Sequence, residues 1–467
     1  MATKVETDPA HRIQAAREAS ESRSTVADRM AAGKLLRTKA PRSSHASWAP
    51  TSDRPDPVDL LQLQDENRVV ELLPIRYGRM SVSPFTYFRG SATVMAHDLA
   101  STPTTGLVVQ ACGDAHLSNF GGFASPERNL VFDINDFDET LPAPWEWDVK
   151  RLAASIVVAG RSNGYRTADS RNAAVAAIRS YRERMAAFAT MTHLDVWYSN
   201  ISVEAFAASM PKRVRKDVER RAQKAVHRDN LQALAKMTSV VDGHVRIVED
   251  PPLIIHHSDE VVGEHLPTMA KAYRSTIRDD LRELLDRYTF VDFARKVVGV
   301  GSVGTRCYVV LMEGNHNQDP LFLQFKEAHE SVLAPYAGKS KYSNQGRRVV
   351  DGQHQIQATS DIFLGWGRVN EVDFYVRQLR DMKTSVEVSL LPPDRMVLYA
   401  EVCGWALARA HARSGDAAAI AGYLGNGDTF DEAIADFATA YADQTERDHA
   451  VLVDAIKSGK VTAEMGR

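Results

Sequence analysis

Residues 111–154 read ACGDAHLSNFGGFASPERNLVFDINDFDETLPAPWEWDVKRLAA, and the rest of the chain is best understood outward from them. Asp114 and Asn119 stand five positions apart, the spacing of a base and a metal-binding amide in phosphoryl transfer. The apolar run Leu130–Phe132 then leads into Asp133, Asp136 and Asp138, a group of carboxylates able to hold a divalent cation. Such a run of acids serves a metal hydrolase as well as a transferase, so the remaining sequence has to decide.

At 467 residues the chain exceeds one small core and implies two or more lobes. Hydrophobic residues at 44% and charged residues at 25% are ordinary for a globular protein. With 57 Lys and Arg against 60 Asp and Glu there is no basic field, which argues against nucleic acid as a partner. Cys112, Cys307 and Cys403 form no C-x-x-C pair and suit a reducing compartment. No run of eighteen apolar residues and no basic-then-apolar leader is present, so a cytoplasmic protein without a membrane segment is expected. Oligomeric state is not readable.

Residues 1–55 are rich in Ala, Ser, Arg and Thr, with prolines at Pro41, Pro50 and Pro55, and are expected to be a mobile arm, although Arg12–Leu36 has helical character. Helical periodicity follows at 58–73, and then Arg76, Arg79 and Arg89 stand among aromatics, where they suit either phosphate or structural carboxylates. Phe85–Leu99 reads as a helix and Gly106–Gln110 as a strand delivering the chain to Asp114. Helices are expected over Trp147–Gly160, residues 167–189, the basic stretch Pro211–Met237, and one long helix carrying Leu266 to Tyr288. Thus 56–290 reads as a mainly helical lobe, 291–395 as a small β-rich lobe, and 396–467 as helices returning to the first.

The β-rich lobe opens on VDFARKVVGVGSVGTRCYVVLM, in which Gly299, Gly301 and Gly304 spell G-x-G-x-x-G around Ser302. A dinucleotide-binding loop would open a helix at its third glycine, but TRCYVVLM is β-branched and aromatic. Strand, glycine turn and strand form the hairpin that covers nucleotide phosphates in kinase-like enzymes. Lys326, in the strand-like run LFLQFKEA, is then placed to meet the phosphates, because an unpaired ammonium there would be costly. Its acidic partner is expected at Asp351, on a helix expected at Gln353–Ile362 and its approach, with Glu330 as the alternative.

The acidic stretch resembles the catalytic segment of aminoglycoside and choline phosphotransferase-like kinases. The blocks Gly113-Asp114-Ala115-His116-Leu117-Ser118-Asn119, Asn135-Asp136-Phe137-Asp138 and Asp148-Val149-Lys150-Arg151-Leu152-Ala153 carry the resemblance. Cys112 stands where those kinases have a loop-holding histidine. Beyond residue 55 the chain also resembles a bacterial family known as a domain of unknown function, through RYGRMSVSPFTYFRG, CGDAHLSNFG, VGVGSVGTRCYVVL, SDIFLGW, YVRQLRDMK and ARAHARSGD. The glycine loop and lysine follow the catalytic block by about 180 residues instead of preceding it. The resemblance therefore implies an α+β, protein-kinase-like two-lobe fold in circularly permuted order.

On that resemblance ATP and Mg2+ are the cofactors, and the acceptor is an unidentified hydroxyl-bearing small molecule or protein. Asp114 orients and deprotonates the attacking hydroxyl, and Lys326 contacts phosphates under the Gly299, Gly301, Ser302 and Gly304 loop. Asn119, Asp136 and Asp138 hold the metal, with Asp133 a further candidate. His116 suits either the site or loop stability, and Asp148 accepts backbone N–H groups from the catalytic loop. Asp416, a rival aspartate, lacks an asparagine five positions on. Nucleotidyl transfer, a metal-dependent phosphohydrolase and a nucleotide-binding pseudokinase are the alternatives.

Overall fold

A computed structural model describes residues 24–466, other than 210–211, 227–229, 243, 257–258, 317–318 and 380–383. Residues 145–160 are buried on every side, so the Trp145–Ser162 helix forms the axis of a helical body. Glu146 and Asp148 sit in its first turn, beside the positive end of the helix dipole. Thr167–Phe188, Pro393–Ser414 and Thr429–Lys457 pack around it, with Trp145 stacked on Tyr181 at 5.8 Å. Two of these helices approach closely because Gly404 lies against the backbone of Ala177, where a Cβ would come within 2.1 Å of the carbonyl oxygen.

The expected mobile arm is, over residues 24–55, a packed strap. A Thr25–Asp28 capping box opens the Val26–Leu35 helix, and Gly33 meets the Ala419 backbone while Met30 meets Gly422. Arg37 and Arg42 then donate to the carbonyls of Gly422, Tyr423 and Leu424 at 2.6–2.8 Å, compensating the negative end of the Ala417–Leu424 helix. Arg54 ends the strap in the interior, paired with Asp98 and Asp448 at 2.7 Å each. The remaining arm residues, 1–23, lie outside the described residues.

A six-stranded antiparallel sheet runs in the order Gly365–Val369, Val372–Gln378, Pro320–Glu327, Cys307–Glu313, Thr289–Lys296, Ile254–Ile255. Alternation along Pro320–Glu327 sends Leu321, Leu323 and Phe325 to one face, against Met269, Tyr273 and Ile277. Phe322, with Val309 and Leu311, meets Met237 and Ile247 on the other. Met237, Ile247, Met269, Tyr273 and Ile277, from a stretch expected in the helical lobe, therefore cover the sheet. A smaller sheet pairs Phe120–Ala124 with Leu130–Ile134, flanked by Thr384–Ser385 and Ile201–Ser202. The fold is α+β.

Three expected helices differ in extent. Phe85–Leu99 is two helices, Pro84–Gly90 and Ala92–Leu99, because Gly90 and Ser91 break it where Met80 leaves no room for a Cβ. Leu266–Tyr288 is likewise two, Asp259–Arg274 and Asp279–Leu285. The helix before SDIFLGW spans Gln345–Ile356, starting at an Asn344 cap, so Ala358–Ile362 is loop.

Candidate active site

The strand Val108–Ala111 pairs with Leu141–Pro144, which closes the base of the acidic stretch and turns its loop toward the sheet. Gly113 makes the turn at φ +83°, and a Cβ there would lie 2.4 Å from the Glu139 carbonyl oxygen. Asp148 holds the turn by accepting the backbone N–H of Cys112 at 2.7 Å and of Gly113 at 3.0 Å. His411 supports Asp148 from behind at 3.2 Å, itself bonded to Tyr181 at 2.9 Å. This is the role expected of Asp148.

Asp114 follows the turn and lines a cleft of about 400 Å³ together with Arg89, His116, Asn119, Asp136 and Asp138. Arg151, one helical turn past Asp148, donates through Nε to Asp114 Oδ1 at 2.8 Å. Burial raises the Asp114 pKa above the ordinary carboxylate value, and Arg151 and then Arg89 pull it back. Asn119 donates its Nδ2 to the Asp114 carbonyl at 2.7 Å, which leaves Oδ1 at the other edge of the amide. His116 is buried, and burial with the nearby Arg89 and Arg151 keeps its ring neutral.

The sheet supplies the opposite wall. Gly299 and Gly304 adopt positive φ in the loop between Thr289–Lys296 and Cys307–Glu313, and Gly299, Gly301 and Ser302 line the cleft. Arg79 donates to the Gly299 carbonyl at 2.7 Å, and Val69 N–H donates to that of Gly304 at 2.8 Å, so the loop is tethered to the helical body. Lys326 faces Cys307 and Tyr375 across adjacent strands and is 1% exposed. Its ammonium bonds Ser302 Oγ at 2.7 Å and pairs with Asp138. Burial disfavours that ammonium, but Asp136 and Asp138 more than reverse the effect and raise its pKa. Two parts of the chain separated by 188 residues thus meet in one ion pair.

Asp136 takes the Asp138 N–H at 3.2 Å and forms no direct ion pair among the described residues, although Lys326 and Arg377 are near enough to oppose the rise in its pKa. Burial, then the neighbouring Asp138 carboxylate, raise its pKa, so a cation beside it would be favoured. Among the described residues no three His, Cys, Asp or Glu side chains group to hold a metal. Asp136 and Asn119 line the same cleft and supply one carboxylate and one amide oxygen, the kind of hard oxygen donor that magnesium takes beside waters or phosphate oxygens.

The sequence profile of a family described as "uncharacterized protein conserved in bacteria" (DUF2252) matches residues 68–455. The chain belongs to that family. Comparison with curated proteins and with solved structures finds no match. The matched span contains Arg79, Arg89, Asp114, Asn119, Asp136, Asp138 and Lys326, while the cleft-lining Leu60, Leu63, Gln64 and Asn67 precede it.

Other candidates in this family member stand elsewhere. Asp133 is buried against Arg409 at 2.6 Å and accepts the N–H of Ala358, so it braces a helix and is removed from the metal set. Asp351 pairs with Arg347 at 3.3 Å on its own helix, and Glu330 is exposed; the partner of Lys326 is Asp138 instead. Asp138 is correspondingly occupied by Lys326, by Tyr375 Oη at 2.8 Å and by Ser302 Oγ at 3.3 Å. Lys326 comes from a sheet strand with no acid beside it in register, so it reaches across the cleft. Arg76 is structural, bonded to Gln64 and the Gly90 carbonyl. Asp416 caps the Ala417–Leu424 helix.

Sequence reasoning passed over Arg151, Tyr375, Arg377 and Glu139. Arg151 was readable, three residues past Asp148 and so on the same helix face. Tyr375 and Arg377 alternate on one strand, and Arg377 reaches the Asn135 carbonyl at 3.3 Å. Nothing in the spacing marks Glu139, which burial raises to about 7 although the Val332 N–H bonds it at 2.7 Å.

Proposed function

We propose that this chain is an ATP- and magnesium-dependent phosphotransferase with a circularly permuted, protein-kinase-like arrangement, acting on a hydroxyl group. The observation that carries the reading is the meeting of Lys326 and Ser302, from the glycine-loop sheet, with Asp138, from the acidic stretch, over the cleft that Asp114, Asn119 and Asp136 line. A phosphate-binding half and a base-and-metal half, far apart in the chain, face one space.

Phosphoryl transfer needs positioning and charge neutralisation more than covalent help. Asp114, held by Arg151, would orient the acceptor hydroxyl and take its proton. Lys326, released from Asp138, would contact the nucleotide phosphates beneath the Gly299–Gly304 backbone. Asp136 and Asn119 Oδ1 would hold magnesium, which supplies charge neutralisation on the phosphates when bound. The test is direct. Asp114→Asn and Asp136→Asn should each lower magnesium-dependent ADP formation by at least about 10³-fold while the thermal midpoint stays near wild type. Turnover retained in both variants sinks the reading.

Occupation of Asp138 by Lys326, Tyr375 and Ser302 favours one second reading, a pseudokinase that binds nucleotide without turning it over. It predicts stabilisation by ATP with no ADP formed. The phosphohydrolase reading loses Asp133 to Arg409 and predicts activity indifferent to Lys326→Met. Nucleotidyl transfer differs in the mass added to the acceptor.

A further inference from the structure

Charged side chains around the cleft are mostly spoken for. Asp114 has Arg151, Asp138 has Lys326, and Glu327 has Arg306 at 2.8 Å. Arg68 donates to the Val303 carbonyl at 2.5 Å, and Arg79 to that of Gly299. Arg89 differs. It lines the cleft, its Nε is buried without a hydrogen-bond partner, and no carboxylate forms a direct ion pair with it among the described residues, although Asp114 and Glu387 act on it from further off. That Nε is costly unless something else meets it, because it has given up water without replacement, and the two Nη groups remain open to the cleft.

Its place in the fold says what would meet it. Arg89 belongs to the Pro84–Gly90 helix, whose Phe88 carbonyl accepts Arg151 Nη2 at 2.7 Å and whose Phe88 ring lies 3.9 Å under the Arg151 guanidinium. Arg89 therefore stands on the wall that carries Asp114, with its backbone carbonyl against Gly301 of the glycine loop. Thr93 and Gln64 line the cleft on this side and add uncharged polar groups. A planar fork of donors beside the base matches a carboxylate or phosphate oxygen pair. At about 400 Å³ the cleft has the size of a small-molecule site.

We propose that the acceptor is a small hydroxylated molecule bearing an anionic group, and that Arg89 binds that group. The anion site stands on the buried, unbonded Nε of a cleft-lining guanidinium, and the acceptor role rests on the phosphotransferase reading. Inorganic phosphate is the probe. With ionic strength held by chloride, phosphate should raise the thermal midpoint of the full chain. Arg89→Gln should bind it at least about tenfold more weakly, Arg89→Lys should recover part of the loss, and Arg287→Gln, at an exposed arginine outside the cleft, should behave as wild type. The titration is then repeated with magnesium and a non-hydrolysable ATP analogue. Phosphate binding that persists beside the analogue supports an acceptor subsite, whereas competition between them overturns it and gives Arg89 to the nucleotide. No shift in wild type, or one that is the same in Arg89→Gln, overturns the anion site. If the analogue itself fails to bind while phosphate still depends on Arg89, the phosphotransferase reading falls and the anion site stands.

Discussion

Arg151 acts on Asp114 in two ways, both of which suit the base proposed for that position. Two of its nitrogens approach Asp114 Oδ1 at 2.7–2.8 Å, which fixes the carboxylate and leaves Oδ2 toward His116 and the cleft. It also opposes the effect of burial, which favours the protonated acid. Arg151→Met should lower kcat about 10²-fold with a smaller change in KM, as expected of a positioning residue. The sign of its pH effect follows. Asp114 must be ionised to accept a proton, and without Arg151 its pKa climbs further. The acid limb of the kcat profile should then move to higher pH, with Arg151→Lys in between; an unmoved limb removes Arg151 from this role. These residue identities were partly legible. Asp114, Asn119 and Asp136 announce themselves by local spacing, since one loop and one short strand place all three. The partner of Lys326 was not legible, because an ion pair closed across two walls leaves no periodic trace in either segment.

Among the elements, the strap at 24–55 most exceeds what composition suggests. Ala, Ser and Arg content reads as disorder, yet small residues are what allow the Val26–Leu35 helix to lie against Ala417–Leu424 backbone to backbone. His45 seats the strap: its Nε2 meets Tyr423 Oη at 2.7 Å, and its ring packs edge-on against Phe430 at 5.3 Å. Burial, with Lys150 nearby, lowers the His45 pKa to about 3. The unfolded chain protonates at about 6.5 and the folded one does not. Stability should therefore be full above pH 6.5 and decline as pH falls from there toward 3. Urea midpoints measured between pH 7 and 5 should fall less steeply for His45→Gln than for wild type; equal slopes would show that His45 contributes nothing. The glycine hairpin, by contrast, was fully legible, because TRCYVVLM after the third glycine leaves only a strand.

For the whole molecule, the cleft sits between a helical body and a sheet joined through the tethered glycine loop, and its geometry depends on how firmly that body is closed. Arg54 is central to that closure, with side-chain exposure of 7% and two buried carboxylates, Asp98 and Asp448, as partners. Removing it leaves both acids uncompensated, so Arg54→Ala should cost about 3–5 kcal/mol in urea unfolding. A loss under 1 kcal/mol would show that the strap is dispensable. The α+β class and the helices at 145–188 follow from periodicity. The packing of 237–288 on the sheet does not, since an amphipathic helix shows that it has an apolar face and not which neighbour covers it. The strap has a consequence for biogenesis. Its seats at Gly422 and Asp448 are translated long after it, so residues 24–55 wait with their apolar and cationic groups unmatched. The helical body cannot close while the ribosome still holds the Thr429–Lys457 helix, and a message truncated just before codon 448 yields a polypeptide that keeps the Gly422 seat but has no Asp448 for Arg54.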